Sequence, residues 1–582
     1  MGWDQRRFGR ATRFVATAGA AATLLFAGPG LATALAADQT LGGGPQSSAA
    51  GSGVSGPTGP LPTYIVRAQP GRLAELRADL TARQLRPMLT LNLISAVTVR
   101  ASGGQAASLA TDPLVAEITA DAPVTLQSDS YDASSDPNSA ANIAAAIKAT
   151  KVWAAGDTGA GVDVALVDSG VTPVLGLADP GQVINGPDLS FESQSDATRN
   201  LDTFGHGTFM AGLIAADDGQ QGTGNGYQGI APGARIVSVK VADAQGRTDV
   251  TQVIAGIDWV VQHAHDPGLN IRVLNLSFGT DSTQPYVVDP LAFAAEAAWH
   301  AGIVVVVSAG NSGVRQLTDP ASDPFVIAVG AADSNGSTSV RDELLAPFSN
   351  TGTRSREVDV VAPGTHIEGL RVPGSFIDDA FGTTARLGDR FFRGSGTSEA
   401  AAITSGVVAL MLSNRPDLSP DQVKGLLTQT ARRLPLAGRG QGDGFVNAYS
   451  ATFGGWPGNA VQQHYAWSAG TGTIEGSRGS THVEMGGQPL TGEQDIFGNP
   501  VDTAALAAAE AAGSAWTDGT WNGTSWTGAS WDGASWTGAS WTGASWTGAS
   551  WTGASWDGAS WDGASWDGAS WDSSSWAGES WS

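Results

Sequence analysis

The sequence predicts an α/β domain, doubly wound around a mainly parallel sheet, and three observations lead to it. Between Ile143 and about Ser450, strand-like and helix-like stretches alternate. The strand-like runs are nearly continuous in apolar residues, as expected of strands buried on both faces. The polar residues that could carry chemistry fall at the carboxyl ends of those runs, where open α/β sheets bind their ligands. A small β-α-β-β-α-β segment precedes this domain, and a low-complexity tail of regularly spaced tryptophans follows it.

A chain of 582 residues has room for several domains. Its formal net charge of −24 argues against a nucleic-acid partner. Half of that charge lies after residue 450, where Arg478 is the one basic residue. The sequence has no cysteine, which excludes disulfides and thiolate metal sites.

In chain order, Arg6, Arg7, Arg10 and Arg13 precede an apolar run from Phe14 to Ala27. Gly28-Pro29-Gly30 breaks the run, and Ala34-Leu35-Ala36 offers a small-residue cleavage site. Residues 1–36 therefore read as a signal for export, and the protein as secreted or associated with the cell surface. The run of roughly 14 residues is too short to span a bilayer. Arg6-Arg7-Phe8 leaves twin-arginine export open beside the general route. Residues 37–62, rich in Gly, Ser and Pro, read as a linker.

From residue 63 to 125 the pattern is compact. Thr63–Arg67 is strand-like, Arg72–Gln84 helix-like, and Leu91–Arg100 alternates with β-branched residues. Gln105–Ala110 is a short helix candidate and Leu114–Thr119 a last strand. This order is that of a ferredoxin-like α+β unit. Residues 126–142, acidic and rich in Ser and Asp, read as an exposed, cleavable joint.

In the central domain the strand candidates are Val162–Val167, Arg235–Val241, Ile271–Leu276, Ile303–Ser308 and Phe325–Val329. The helix candidates are Gly207–Ala216, Val250–His263 and Leu291–Ala301. A further run, Ala400–Leu412, contains no Pro and one Gly, and reads as a buried helix. Ser398 sits at its start, where free N–H groups and the helix dipole favour negative charge. A serine there is also a favoured cap. Asp168 ends the first strand, His206 opens a helix, and Asn311 lies between glycines after the strand Ile303–Ser308. Each alone fits a turn residue. Together they supply what acyl transfer needs: an orienting carboxylate, a base, an oxyanion donor and a nucleophile.

With these residues in view, the chain resembles the subtilisin-like serine peptidases. The resemblance rests on Asp168-Ser169-Gly170, His206-Gly207-Thr208 and Gly396-Thr397-Ser398. Ser277-Phe278-Gly279, Ala309-Gly310-Asn311, Phe348-Ser349-Asn350 and Val361-Ala362-Pro363-Gly364 add to it. It implies a zymogen of a secreted endopeptidase, with protein or peptide substrates, acting as a monomer. It implies Ser398 as nucleophile, His206 as base, Asp168 as its orienting partner and Asn311 as oxyanion donor. Ser277, Phe278 and Gly279 would line the substrate cleft. Segment 63–125 would be an inhibitory propeptide, more loosely matched. No cofactor is implied for the chemistry, although members of the family often carry structural calcium. Asp217, Asp218 and Asn225 lie in an acidic loop of suitable chemistry, which also reads as solvated surface.

The departures are specific. Glu399 stands where the family usually has Met, and Ala400-Ala401-Ala402-Ile403 replaces its usual continuation. Asp319-Pro320 replaces a Tyr-Pro, and Thr318 stands where a Gly usually floors the specificity pocket. His263 and His265 read as residues of a helix end, and His300, His366, His464 and His482 have no partners the sequence can assign.

Residues 451–515 read as a polar linker, and 516–582 as a tail with a tryptophan at every fifth position, mostly as Trp-x-Gly-x-Ser. With no other large apolar residue in it, the tail is expected to lack a packed core. It reads either as a disordered spacer or as a multivalent sticker for cell-wall polysaccharide. The competing reading of the whole chain is a cell-surface binding protein in which this repeat is the working part.

Overall fold

The computed structural model describes residues 63–91, 95–120, 131, 133, 135–220, 226–455, 462–485 and 488–526. The export signal, the linker 37–62, the first part of the joint, Asn225 and the tail beyond Trp526 lie outside the described residues. The rest falls into two compact units, divided after residue 122.

The first unit contains β1 (Thr63–Ala68), α1 (Leu73–Ala82), β2 (Pro87–Leu91), β3 (Ala96–Arg100), α2 (Gly103–Ala110) and β4 (Val115–Ala120). Its sheet has the order β2-β3-β1-β4, all antiparallel. Val66, Leu76, Leu80, Val97, Val99 and Leu109 form its core. Ser102 caps α2 in a reciprocal box with Gln105, which sets where that helix starts. Within the β-rich stretch Leu91–Arg100, Leu91 ends β2 and Ala96–Arg100 is β3.

The second unit begins with α3 (Ala140–Ala146) and α4 (Ala149–Ala154). It continues through β5 (Asp163–Asp168), β6 (Val183–Asp188), α5 (His206–Ala215), β7 (Arg235–Lys240), α6 (Val250–His263), β8 (Ile271–Leu276) and α7 (Pro290–His300). Next come β9 (Val304–Ser308), β10 (Ile327–Asp333), β11 (Leu344–Leu345), β12 (Val360–Pro363), β13 (Ile367–Leu370), α8 (Phe376–Ala385), β14 (Arg386–Leu387) and β15 (Phe391–Gly394). Then come α9 (Thr397–Asn414), α10 (Pro420–Thr430), α11 (Ala448–Phe453), α12 (Ile474–Arg478) and α13 (Thr503–Ala511). The main sheet has the order β11-β10-β9-β8-β5-β7-β6, with β12 also on β10. All its pairings are parallel except β10 with β11. The chain order reverses between β5 and β8, so a crevice at their carboxyl ends is the expected ligand position. Helices α5 and α9 pack on each other, as do α6 and α7, and both pairs contact the sheet.

The segment expected as an exposed joint is corrected in its second half. Asp136 pairs with Arg393 at 2.7 Å and accepts the Tyr131 hydroxyl at 2.8 Å, and Ala140 N–H donates to Glu368 at 2.9 Å. An acidic, Ser-rich composition looks solvated until a half-buried arginine and a helix start claim its polar groups.

The segment expected as a linker after residue 450 is corrected as well. Residues 462–485 and 488–526 are part of the second unit, and Ile474, Ile496, Phe497, Trp516, Trp521 and Trp526 belong to its single core. Arg478, wholly buried, pairs with Asp249 at the start of α6 at 2.7 Å and donates to Gly492 O at 2.6 Å. The first tryptophans of the repeat form a three-stranded meander, Trp516–Thr517, Thr520–Trp521 and Thr524–Ser525. Its turns, Asp518-Gly519 and Asn522-Gly523, have positive φ at both central residues, which suits two-residue hairpins. The indole N–H of Trp516 donates to Ala255 O at 2.8 Å and that of Trp521 to Asp258 at 2.7 Å. Residues 516–526 thus gain a core by borrowing one from α6, which composition does not reveal.

Candidate active site

β5 delivers Asp168 to the carboxyl edge of the sheet, and α5 starts beside it at His206; both side chains are wholly buried. The close approach depends on Gly207. A Cβ there would lie 2.2 Å from Gly170 O and 3.0 Å from Asp168 Oδ1. His206 Nδ1 lies 2.9 and 3.0 Å from the two Asp168 oxygens. An acceptor facing Nδ1 puts the ring proton there and leaves Nε2 as the basic nitrogen.

A second carboxylate braces this pair. Asp202 Oδ1 accepts the Ser169 hydroxyl at 2.8 Å and Gly205 N–H at 2.6 Å, and Oδ2 accepts Thr208 N–H at 2.7 Å. Burial pushes the Asp202 carboxyl up from its ordinary range, while the N–H groups of Thr208 and Gly205 oppose the shift. Ser169 also donates toward Asp168 at 3.1 Å and accepts Gly207 N–H at 2.9 Å. Sequence reasoning missed Asp202. Its signal was its place four residues before His206, where an Asp can gather the N–H groups at a helix start.

Ser398 is the second residue of α9. Its hydroxyl donates to Ser277 O at 2.9 Å, and the Ser277 hydroxyl lies 3.2 Å from Ser398 O. Asn275 Nδ2 donates to Ser277 Oγ at 2.8 Å, and Ser405 Oγ donates to Asn275 Oδ1 at 2.9 Å. This buried chain ties the end of β8 to the first two turns of α9.

Asn311, three residues past β9, accepts from Thr397 N–H at 2.8 Å and Thr397 Oγ1 at 2.9 Å through its Oδ1. A backbone N–H only donates, so this contact fixes which end of the amide is oxygen and turns Nδ2 away from Thr397. Thr318 closes the neighbouring space. A Cβ on Gly279 would lie 2.7 Å from Thr318 Cβ, and one on Gly310 would lie 2.7 Å from its methyl. The structure therefore joins Asp168 to His206, Ser398 to Ser277, and Thr397 to Asn311. It sets Thr318 between Gly279 and Gly310, with Phe278 buried beneath.

Residues 159–454 match the model of the Subtilase family. This chain belongs to the subtilase family.

Among curated relatives, Serine protease AprX of Bacillus subtilis is 40% identical over 278 residues, 46% of this chain and 61% of AprX. The minor extracellular protease Epr of the same organism is 30% identical over 51% of this chain and 39% of Epr. Subtilisin DY of Bacillus licheniformis is 34% identical over 50% of this chain and 90% of that protein. The match thus spans well under two thirds of AprX and Epr.

Within the subtilase domain, Glu399 lies fully buried in the first turn of α9. Asp218 does not fit a calcium ligand, because one carboxylate oxygen accepts both Arg390 at 2.8 Å and Tyr227 N–H at 2.9 Å. Among the described residues, no group of three or more His, Asp or Glu is placed to hold a metal ion. None of their helices is long and apolar enough to cross a membrane. His263 ends α6, stacked on Trp259. His300 stacks on Trp467 and His482 meets Glu475 at 3.0 Å, partners supplied by the C-terminal segment.

Proposed function

We propose that the protein is an exported serine endopeptidase, made as a zymogen, that hydrolyses peptide bonds through an acyl-enzyme. The observation that carries this reading is the buried Asp168–His206 pair at the start of α5, which packs on α9, whose own start holds both Ser398 and the amide-orienting Thr397.

Ser398 Oγ attacks the scissile carbonyl carbon while His206 Nε2 takes its proton. Asp168 holds the imidazole tautomer and stabilises the cation that forms. The carbonyl oxygen becomes an oxyanion held by Asn311 Nδ2 and the Ser398 N–H, in a dry site where such donors count most. The C–N bond then breaks, His206 returns the proton to the leaving amine, and water releases the acyl group by the same route. Ser277–Gly279 pairs with the substrate as an added strand. None of these steps calls on a cofactor.

Segment 63–125 is assigned as the inhibitory propeptide on its position between the export signal and the subtilase domain. The repeats beyond Trp526 are assigned as an anchor for wall polysaccharide, and the enzyme as a monomer. The alternative, a surface binding protein on the same fold, has no use for a complete set of Asp168, His206, Asn311 and Ser398. Hydrolysis of peptide anilides by the secreted protein tests the reading. Ser398→Ala and His206→Ala are each expected to lower turnover by roughly 10⁴- to 10⁶-fold. Activity retained in Ser398→Ala would refute it.

A further inference from the structure

We infer that Ser477, on the C-terminal segment, is a positioning residue for substrate specificity: through Asp289 and Thr280 it sets the wall that Thr318 presents to the P1 side chain. This rests on the peptidase reading, with Gly279, Gly310 and Thr318 around the P1 pocket.

The chain of contacts is short and buried. Ser477 Oγ donates to Asp289 Oδ1 at 2.7 Å, and Ser477 O accepts the Thr280 hydroxyl at 2.6 Å. Both Ser477 and Asp289 are fully buried. Asp289 caps α7 through the N–H groups of Leu291 and Ala292 and also accepts from Ser282 at 3.1 Å and Gln284 at 3.0 Å. Asp289 therefore gathers the loop that follows Gly279, through Ser282 and Gln284, and the Ser477 hydroxyl fixes where it sits.

Asp319 is coupled to the pocket through the main chain. Its N–H and C=O exchange hydrogen bonds with Thr280, both at 2.9 Å. Thr318 precedes it and fills the space between Gly279 and Gly310. Ser477 thus grips the loop after Gly279 twice, at Thr280 through its carbonyl and at Ser282 and Gln284 through Asp289. Arg478, the next residue, is locked onto Asp249 at 2.7 Å, so the grip has a fixed base. A segment outside the sheet therefore holds the wall that selects the substrate.

The test compares Ser477→Ala and Ser477→Thr with the parent in the full-length chain, using anilide substrates with P1 Ala, Leu and Phe. A fluorophosphonate titration first counts active sites. Ser477→Ala should label at Ser398 as the parent does and keep its kcat on P1 Ala. Its KM for P1 Ala should rise about threefold or more, and its Ala-over-Phe preference should narrow at least fivefold. Ser477→Thr, which keeps the hydroxyl, should restore the parental profile. A Ser477→Ala protein that labels normally and keeps the parental P1 profile would overturn the inference alone. Loss of kcat equal on all three substrates, unrescued by Ser477→Thr, would also overturn it. A parent that does not label at Ser398 would overturn the peptidase reading and this inference with it.

Discussion

Thr397 holds Asn311 by two hydrogen bonds, from its N–H at 2.8 Å and its hydroxyl at 2.9 Å, both to the same amide oxygen. The residue just before the proposed nucleophile thereby aims the proposed oxyanion donor. Asn311→Ala should lower kcat on the order of 100- to 1000-fold with little change in KM. Thr397→Val keeps the N–H contact and loses the hydroxyl. It should cost roughly 5- to 10-fold, the worth of one hydrogen bond. Steady-state kinetics on a single anilide checks both.

The P1 pocket should be shallow, favouring Ala, Val or Leu over Phe and Tyr, because Thr318 occupies space that a glycine would leave open between Gly279 and Gly310. Thr318→Gly should shift the preference toward aromatic P1 residues by ~10- to 200-fold. Peptide-library profiling reads this. A parent enzyme that prefers Phe or Tyr contradicts it.

Glu399 replaces a thioether beside the nucleophile, so no sulfur there is open to peroxide. Activity should survive peroxide treatment that inactivates Glu399→Met. Equal loss in the two proteins, followed by timed assays, would show that another site controls oxidation.

Processing should cut before Tyr131. The chain from Tyr131 onward is tied to the subtilase domain through Asp136, Arg393 and Glu368. Ser398→Ala should accumulate uncut in a host without related peptidases. N-terminal sequencing that places the mature start beyond Tyr131 would contradict this.

The candidate site residues Asp168, His206, Asn311 and Ser398 were legible as a set and not singly, because they fall in contiguous motifs at strand ends and helix starts. The strongly apolar strands β5, β7, β8 and β9 were legible for the same reason. β6 was not, since Val183–Asp188 is a half-exposed edge strand carrying Asn-Gly-Pro. The C-terminal segment was least legible. Its polar residues are spent on distant partners, Arg478 on Asp249 and Ser477 on Asp289, and its tryptophans on α6. Composition records none of these pairings.

The same segment gives a pH prediction. Burial pushes the Asp258 carboxyl up to about 7, against the Trp521 N–H, and burial and then Asp258 push Glu510 well up. Folded-state values above unfolded ones mean that the stabilisation is complete below the unfolded carboxylate pKa of about 4. It is lost as pH rises through about 7. Melting temperature should therefore fall between pH 5 and pH 9, and Glu510→Gln should flatten that fall. Trp521→Ala should destabilise by about 3–5 kcal/mol. A chain cut after Trp526 keeps these contacts, so it should hydrolyse peptides normally yet partition into the medium rather than onto wall material.

The central claim is that Ser398 is an activated nucleophile, and active-site labelling tests it most directly. The secreted protein is treated with a fluorophosphonate, digested, and the modified residue located by mass spectrometry. The account predicts one adduct, on Ser398, abolished in Ser398→Ala and strongly slowed in His206→Ala. An adduct on another residue, or no adduct on a folded and processed protein, would contradict it.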